Sequence, residues 1–174
     1  YTPHPGGYAY AADLVEGLKK VADFDISVAC YPETHPEAAS PQADIDNLKR
    51  KIDAGADRAV SQYFFNIDDW RRFMDRVAAA GISIPVIPGI IPVTNFNQVA
   101  KFSKMCGSSV PQWLCERFEG LDDDPKTREL VAATTATVLS TEVVGGGPAR
   151  MGIRGRPPGV EVHGEFRSVR TIGA

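Results

Sequence analysis

The chain of 174 residues carries a net charge of −3, 43% apolar residues and three cysteines, which suits one ordinary domain with a core of its own. It shows no long basic run before its last thirty residues, no signal peptide and no run of ~18 apolar residues, which argues against nucleic-acid and membrane roles and leads us to expect a soluble, cytoplasmic protein. Cys30, Cys106 and Cys115 are spaced for neither a zinc site nor a disulfide framework, so no metal is expected and the thiols read as reduced core or near-surface groups.

Tyr1 to Gly7 is a turn-rich lead-in without regular structure. From Tyr10 to Ala22 the apolar residues Leu14, Val15, Leu18, Val21 and Ala22 repeat with helical period, and Lys19 and Lys20 fall near the C-terminal end, where cations suit the helix dipole. Asp25 to Tyr31 reads as a short strand closed by Pro32. The loop after it places Glu33, His35 and Glu37 around two prolines that keep it extended. Polar residues just past the C-terminal end of a parallel strand are where α/β folds place their chemistry.

The next helix, Gln42 to about Ala54, has two stripes. Ile45, Leu48 and Ile52 make an apolar face; Asp44, Asn47 and Lys51 repeat at the same spacing one residue earlier, with Arg50 close by. An acid, an amide and two bases therefore sit at the border of the buried face. A solvated helix face beside a core stripe is the plain reading, and a binding surface is the other. Gly55 is the expected C′ residue, and Arg58 to Phe65 reads as the second strand, with Gln62 inside an otherwise apolar segment.

Asn66 caps a helix to about Ala80, with Asp68 and Asp69 in its first turn, a stripe of Trp70, Phe73, Met74 and Val77, and Gly81 after it. Ile84 to Ile90 is a third strand, expected to be buried on both sides, and Pro92 closes it. Thr94 or Asn95 caps a helix to Met105, from one face of which Gln98 and Phe102 project. Gln112 to Phe118 is a short helix with Trp113 and Leu114 as expected core contacts. Asp124, with Pro125 at N1, starts a helix running through about Val138 or beyond. The order αβαβαβα followed by an extra helix points to a parallel α/β fold, either doubly wound or part of a (β/α)₈ barrel. A whole barrel needs eight strands and about 250 residues, and no G-x-G-x-x-G follows a strand.

The run YPE.HPEA....AD..NLK.K.DAGA.RA..Q.FF from Tyr31 to Phe65, with PGI.PV.NF.Q at Pro88 to Gln98 and GLDDD at Gly120 to Asp124, resembles the methylenetetrahydrofolate reductase family, flavin-dependent barrel enzymes of one-carbon metabolism. The resemblance is ordered from about Tyr10 to Leu130. It implies an incomplete TIM (β/α)₈ barrel within residues 1–144, with parallel strands alternating with helices. It also implies reduction of 5,10-methylenetetrahydrofolate to 5-methyltetrahydrofolate by NADH or NADPH through bound FAD, two substrates using one site in turn, in a family that feeds methionine biosynthesis and forms homo-oligomers when intact.

On the same basis Tyr10, Ala11, Tyr31, His35, Ala38, Asp44, Asn47, Arg50 and Lys51 fall on FAD contacts, and Gln62, Gln98 and Phe102 on the folate. The residue chemistry is compatible. Tyr31 can cover a ring face, His35 offers a polar partner, Arg50 and Lys51 supply positive charge, and Asp44 and Asn47 can bond hydroxyls or amides. Glutamine offers a heteroaromatic edge both a donor and an acceptor, and Phe102 offers a stacking surface. Each also has a plain alternative: a helix start packed on a sheet for Tyr10 and Ala11, a solvated loop residue for His35, a solvent-facing strand residue for Gln62, core for Phe102.

The family's general acid, a Glu on its first strand, and the R-G-D-type loop after its fourth strand have no counterpart in this sequence, so no catalytic residue is assigned within the chain. The fragment is expected to have little turnover. The different reading is a barrel fragment, or an FAD- or folate-binding module, without turnover. Where the family continues into a Y-T-L-N-R strand, residues 145–174 instead hold 8 Gly, 3 Pro, five Arg and two acids. That composition leads us to expect a poorly ordered tail, a frame-shifted read-through rather than an arginine-rich nucleic-acid arm.

Overall fold

The computed structural model describes residues 2–146; the Gly/Arg/Pro-rich tail, apart from the backbone of Gly145 and Gly146, lies outside the described residues. Six helices and three strands follow one another as α1 (Ala11–Val21), β1 (Ser27–Cys30), α2 (Pro41–Asp53), β2 (Arg58–Tyr63), α3 (Ile67–Ala79), β3 (Val86–Gly89), α4 (Phe96–Cys106), α5 (Gln112–Phe118) and α6 (Pro125–Gly146). The strands form one parallel sheet in the order β1-β2-β3, so each helix that joins two strands is a crossover of a βαβ unit. That is the alternation expected of a partial barrel, with α5 and α6 as additions after α4.

Local chemistry sets the boundaries. The Ser40 side chain accepts a hydrogen bond from the Ala43 amide at 3.2 Å and Pro41 occupies the first helical position, so α2 starts one residue earlier than its apolar spacing suggests. Asn66 receives the Asp68 amide at 3.1 Å, Asn95 rather than Thr94 receives the Gln98 amide at 3.0 Å, and Asp124 receives the Thr127 amide at 3.1 Å. Gly107, with φ of 72°, turns the chain out of α4 in the left-handed conformation that glycine adopts without strain.

The core divides into two apolar clusters. The first gathers Val28, Cys30, Ile45, Leu48, Ala59, Phe64, Trp70, Phe73 and Val77; the second gathers Tyr63, Phe65, Val93, Val99, Leu114, Phe118, Ala132 and Leu139. Consecutive residues at the end of β2 serve different clusters, Phe64 stacking on Trp70 at 5.2 Å between centroids and Phe65 lying 5.6 Å from Tyr63. Helix α6 bridges them as well, since Ala132 and Leu139 belong to the second cluster and Val143 to the first.

Several expectations need correction. All three strands are shorter than their apolar runs; at the second and third, Phe64, Phe65, Ile84 and Ile90 pack into the clusters without joining the ladder. The third strand is not buried on both sides: Ala29, Val60 and Ile87 form a cross-strand row on the face away from the helices, and Ile87 is 43% exposed. Among the described residues nothing covers that row. In α1 only Val15 is buried while Leu14 and Val21 are exposed, and on α5 Leu114 is buried whereas Trp113 is 38% exposed with the Arg117 guanidinium 5.3 Å from its ring centroid.

Candidate functional site

A groove of about 710 Å³ opens where the start of α1, the loop after β1 and one face of α2 meet, a volume within the range of ~300–1,000 Å³ usual for small-molecule sites. All nine residues expected at the nucleotide line it: Tyr10 and Ala11 where the chain enters α1, Tyr31, His35 and Ala38 from the loop, Asp44, Asn47, Arg50 and Lys51 from α2. The helical repeat of Asp44, Asn47 and Lys51 thus becomes one wall, facing a cavity instead of bulk solvent. Ala9, Ala12 and Asp13 also line it without being singled out from sequence, as does Glu37, which reads as a loop acid but is not among the expected contacts. Ala9, Ala12 and Glu37 each adjoin an expected residue, and Asp13 lies two positions beyond Ala11.

The loop wall is held by short-range bonds. The His35 amide donates to Asp44 Oδ2 at 2.8 Å, the Ala38 amide to the His35 carbonyl at 2.9 Å, and the Glu37 amide to His35 Nδ1 at 3.2 Å. Because Nδ1 accepts, the imidazole carries its proton on Nε2 in this arrangement. The His35 ring meets the Tyr31 ring edge-on, with centroids 4.6 Å apart. At the other side of the loop an Arg76 guanidinium nitrogen donates to the Pro32 carbonyl at 3.0 Å.

Electrostatics distinguish the two cations of α2. Arg50 donates to the Asn47 side-chain oxygen and stays exposed, a rigid fork at the groove rim. Lys51 is half-buried and donates to the Ala29 carbonyl; loss of solvation pulls its pKa below the usual lysine range. Burial pushes the Cys30 thiol beside it up to about 12, so this sulfur stays protonated and inert. The Tyr31 phenol is also raised, first by burial and then by the Asp44 charge, and serves as a neutral ring with a hydroxyl.

The other three expected residues stand apart from this groove. Gln62 borders a narrow space between Tyr31, Tyr63 and the end of α4 that has no room for a water molecule. The β2–β3 register slips by one residue between Val60 and Tyr63, beside Gln62, and the Gly89 amide there donates to Ser61 Oγ at 2.9 Å. Gln98 is exposed on α4. Phe102 is not core: it is 46% exposed and stacks on Tyr63 with centroids 6.1 Å apart and planes 25° apart. Tyr63 is itself fixed by a 2.9 Å hydrogen bond between its hydroxyl and the buried Ser103 hydroxyl.

Among the described residues no cluster of His, Cys, Asp or Glu is placed to hold a metal ion, and no helix is long and apolar enough to cross a membrane.

The sequence matches the family model of methylenetetrahydrofolate reductase over residues 1–151. It is 58% identical over 139 residues to 5,10-methylenetetrahydrofolate reductase of Escherichia coli (strain K12), covering 78% of this chain and 47% of that protein. The corresponding protein of Pectobacterium carotovorum subsp. carotovorum is 56% identical over 148 residues, 82% of this chain and 50% of its own length. Methylenetetrahydrofolate reductase 2 of Saccharomyces cerevisiae is 38% identical over 135 residues, 75% of this chain and 22% of its length. The chain spans about half the length of the bacterial relatives it matches, or less.

Proposed function

Since the chain belongs to the methylenetetrahydrofolate reductase family, we propose that its groove binds FAD and that it contributes the flavin-facing part of an enzyme reducing 5,10-methylenetetrahydrofolate with NADH or NADPH. The observation that carries the reading is convergence: nine residues from three separate segments, chosen from sequence, line a single groove of ligand size. The donor set fits the cofactor. Arg50 and Lys51 can meet phosphate charge, and Asp44 and Asn47 can accept or exchange hydrogen bonds with ribityl hydroxyls. Tyr31 and the edge-on His35 supply an apolar ring surface with a polar tip.

When bound, the flavin supplies the hydride relay between nicotinamide and folate. The protein's part is positional. The loop from Tyr31 to Ala38 orders one side of the ring system, and Phe102, held flat by Tyr63, presents an exposed aromatic face to a pterin, with Gln62 and Gln98 available for its heteroatoms. Those three residues do not share one cavity among the described residues. No residue of this chain is assigned as the general acid.

Titration of the purified chain with FAD, followed by quenching of flavin fluorescence and by the visible absorbance, tests the reading. Saturable uptake of one FAD per chain is expected. A colourless protein that takes up no flavin would remove it. Assay of the loaded protein for NADH- or NADPH-dependent folate reduction then separates a turning-over enzyme from a binding module.

A further inference from the structure

Glu33 is part of neither wall of the groove. Its carboxylate reaches across to the turn after α4 and receives the Ser109 amide with both oxygens, at 3.1 and 2.9 Å. Two further contacts lie in the same joint. Pro36 packs on Gly107 so closely that an added Cβ there would meet its ring carbons at 2.9 and 3.0 Å, and the Ser108 hydroxyl donates to the Tyr63 carbonyl at 3.2 Å. The small space bordered by Glu33, Tyr63, Gly107 and Ser108 is too narrow for a water molecule, while the bond from Ser109 to Glu33 lies at the surface, so the loop after β1 and the end of α4 are in direct contact.

That contact joins two elements with different duties. The loop carries Tyr31, His35 and Ala38 to the groove; α4 carries Gln98 and Phe102, and its last turn is tied to β2 through Tyr63 and Ser103. Among the described residues, Glu33 supplies the charge-assisted bond across this joint. Pro32 and Pro36 on either side restrict the backbone, so fixing residue 33 fixes the loop between them. We propose that Glu33 is a positioning residue: by clasping the Ser109 amide it sets the flavin-facing loop relative to helix α4, and so tunes flavin affinity without touching the flavin. The proposal rests on the FAD reading of the groove for its functional consequence, but not for the clasp itself.

The test compares the full chain with Glu33→Ala and Glu33→Gln. Glutamine keeps one acceptor oxygen for the Ser109 amide; alanine keeps none. FAD titration is expected to show binding roughly tenfold weaker in Glu33→Ala, the loss usual for one partly exposed bond to a charged group, with much of it restored in Glu33→Gln. Amide hydrogen exchange on the apoproteins is the second readout, with faster exchange in Glu33→Ala confined to residues 31–38 and 107–109. Equal FAD affinity in wild type and Glu33→Ala would overturn the proposal. So would exchange that rises evenly over the whole chain, which marks a general loss of stability instead of a local clasp. Should the wild type take up no FAD, the flavin reading falls, and unchanged loop protection in Glu33→Ala is then the result that overturns the clasp.

Discussion

The backbone amide of His35 donates to the Asp44 carboxylate at 2.8 Å, nine residues along the chain, so that the loop after β1 and the first turn of α2 are bonded to each other at the groove wall. Substituting Asp44→Ala leaves that partly buried amide without its acceptor and should cost about 1–2 kcal/mol, read as a lower urea midpoint with an unchanged slope. FAD binding should weaken at the same time. Asp44→Asn retains an acceptor oxygen and should fall between; an Asp44→Ala chain as stable as the wild type would show that the bond is not formed in solution.

Lys51 gives a pH dependence whose sign follows from its lowered pKa. The folded chain holds this proton less tightly than the unfolded chain, so burying the ammonium opposes folding at neutral pH, and the penalty fades as pH rises into the ordinary lysine range. An anionic ligand needs the charged form. FAD affinity should therefore be full at neutral pH and decline as pH rises through the lowered value. In Lys51→Met affinity should be weaker and flat over that alkaline range, while the apoprotein loses no more than about 1 kcal/mol. Isothermal titration at several pH values checks this, and a decline that survives the substitution would assign it to another group.

Phe102 separates packing from function. A fully buried Phe→Ala change costs about 3–5 kcal/mol, but this ring is 46% exposed and rests only one face on Tyr63, so Phe102→Ala should cost about 1 kcal/mol. If α4 faces a pterin, the same change should weaken folate binding to the FAD-loaded protein about tenfold while leaving the FAD titration unaltered. A large drop in melting temperature with unchanged folate affinity would return Phe102 to a purely structural role.

Gly89 leaves no room for a side chain beside β2. A Cβ at this position would lie 2.2 Å from the Ser61 carbonyl oxygen, which belongs to the adjacent strand and cannot swing aside. Gly89→Ala should therefore part β2 from β3 at the register slip and cost about 3 kcal/mol, at the upper end for overpacking. Differential scanning calorimetry measures it; a loss under about 0.5 kcal/mol, the range of a neutral surface change, would mean that the strands relax apart freely.

Sequence reading placed the helices well and the strand ends poorly, for a physical reason visible at Phe64 and Phe65. Both continue the apolar, aromatic run of β2, and composition cannot tell a residue that pairs in a ladder from one that leaves it to fill a core. The exposure of Ile87 was equally hidden, since an apolar run says nothing of what lies over it. At the groove, spacing alone revealed a polar stripe on α2 but could not distinguish a solvated face from a cavity wall; the resemblance of the Tyr31 to Phe65 run tipped that choice. Glu33 was visible as a loop acid, yet its partner Ser109 lies 76 residues away, beyond any local pattern.

The splitting of Phe64 and Phe65 between the two apolar clusters also governs how the molecule comes apart. Melting one cluster withdraws a ring from the end of β2 and so drags on the neighbouring peptide that anchors the other, and α6 spans both a second time through Leu139 and Val143. The two halves of the core are thus mechanically in series through one dipeptide and in parallel through one helix. Heating should yield a single calorimetric transition whose van't Hoff and calorimetric enthalpies agree, with the slowest-exchanging amides gathered around residues 63–65 rather than at the centre of either cluster.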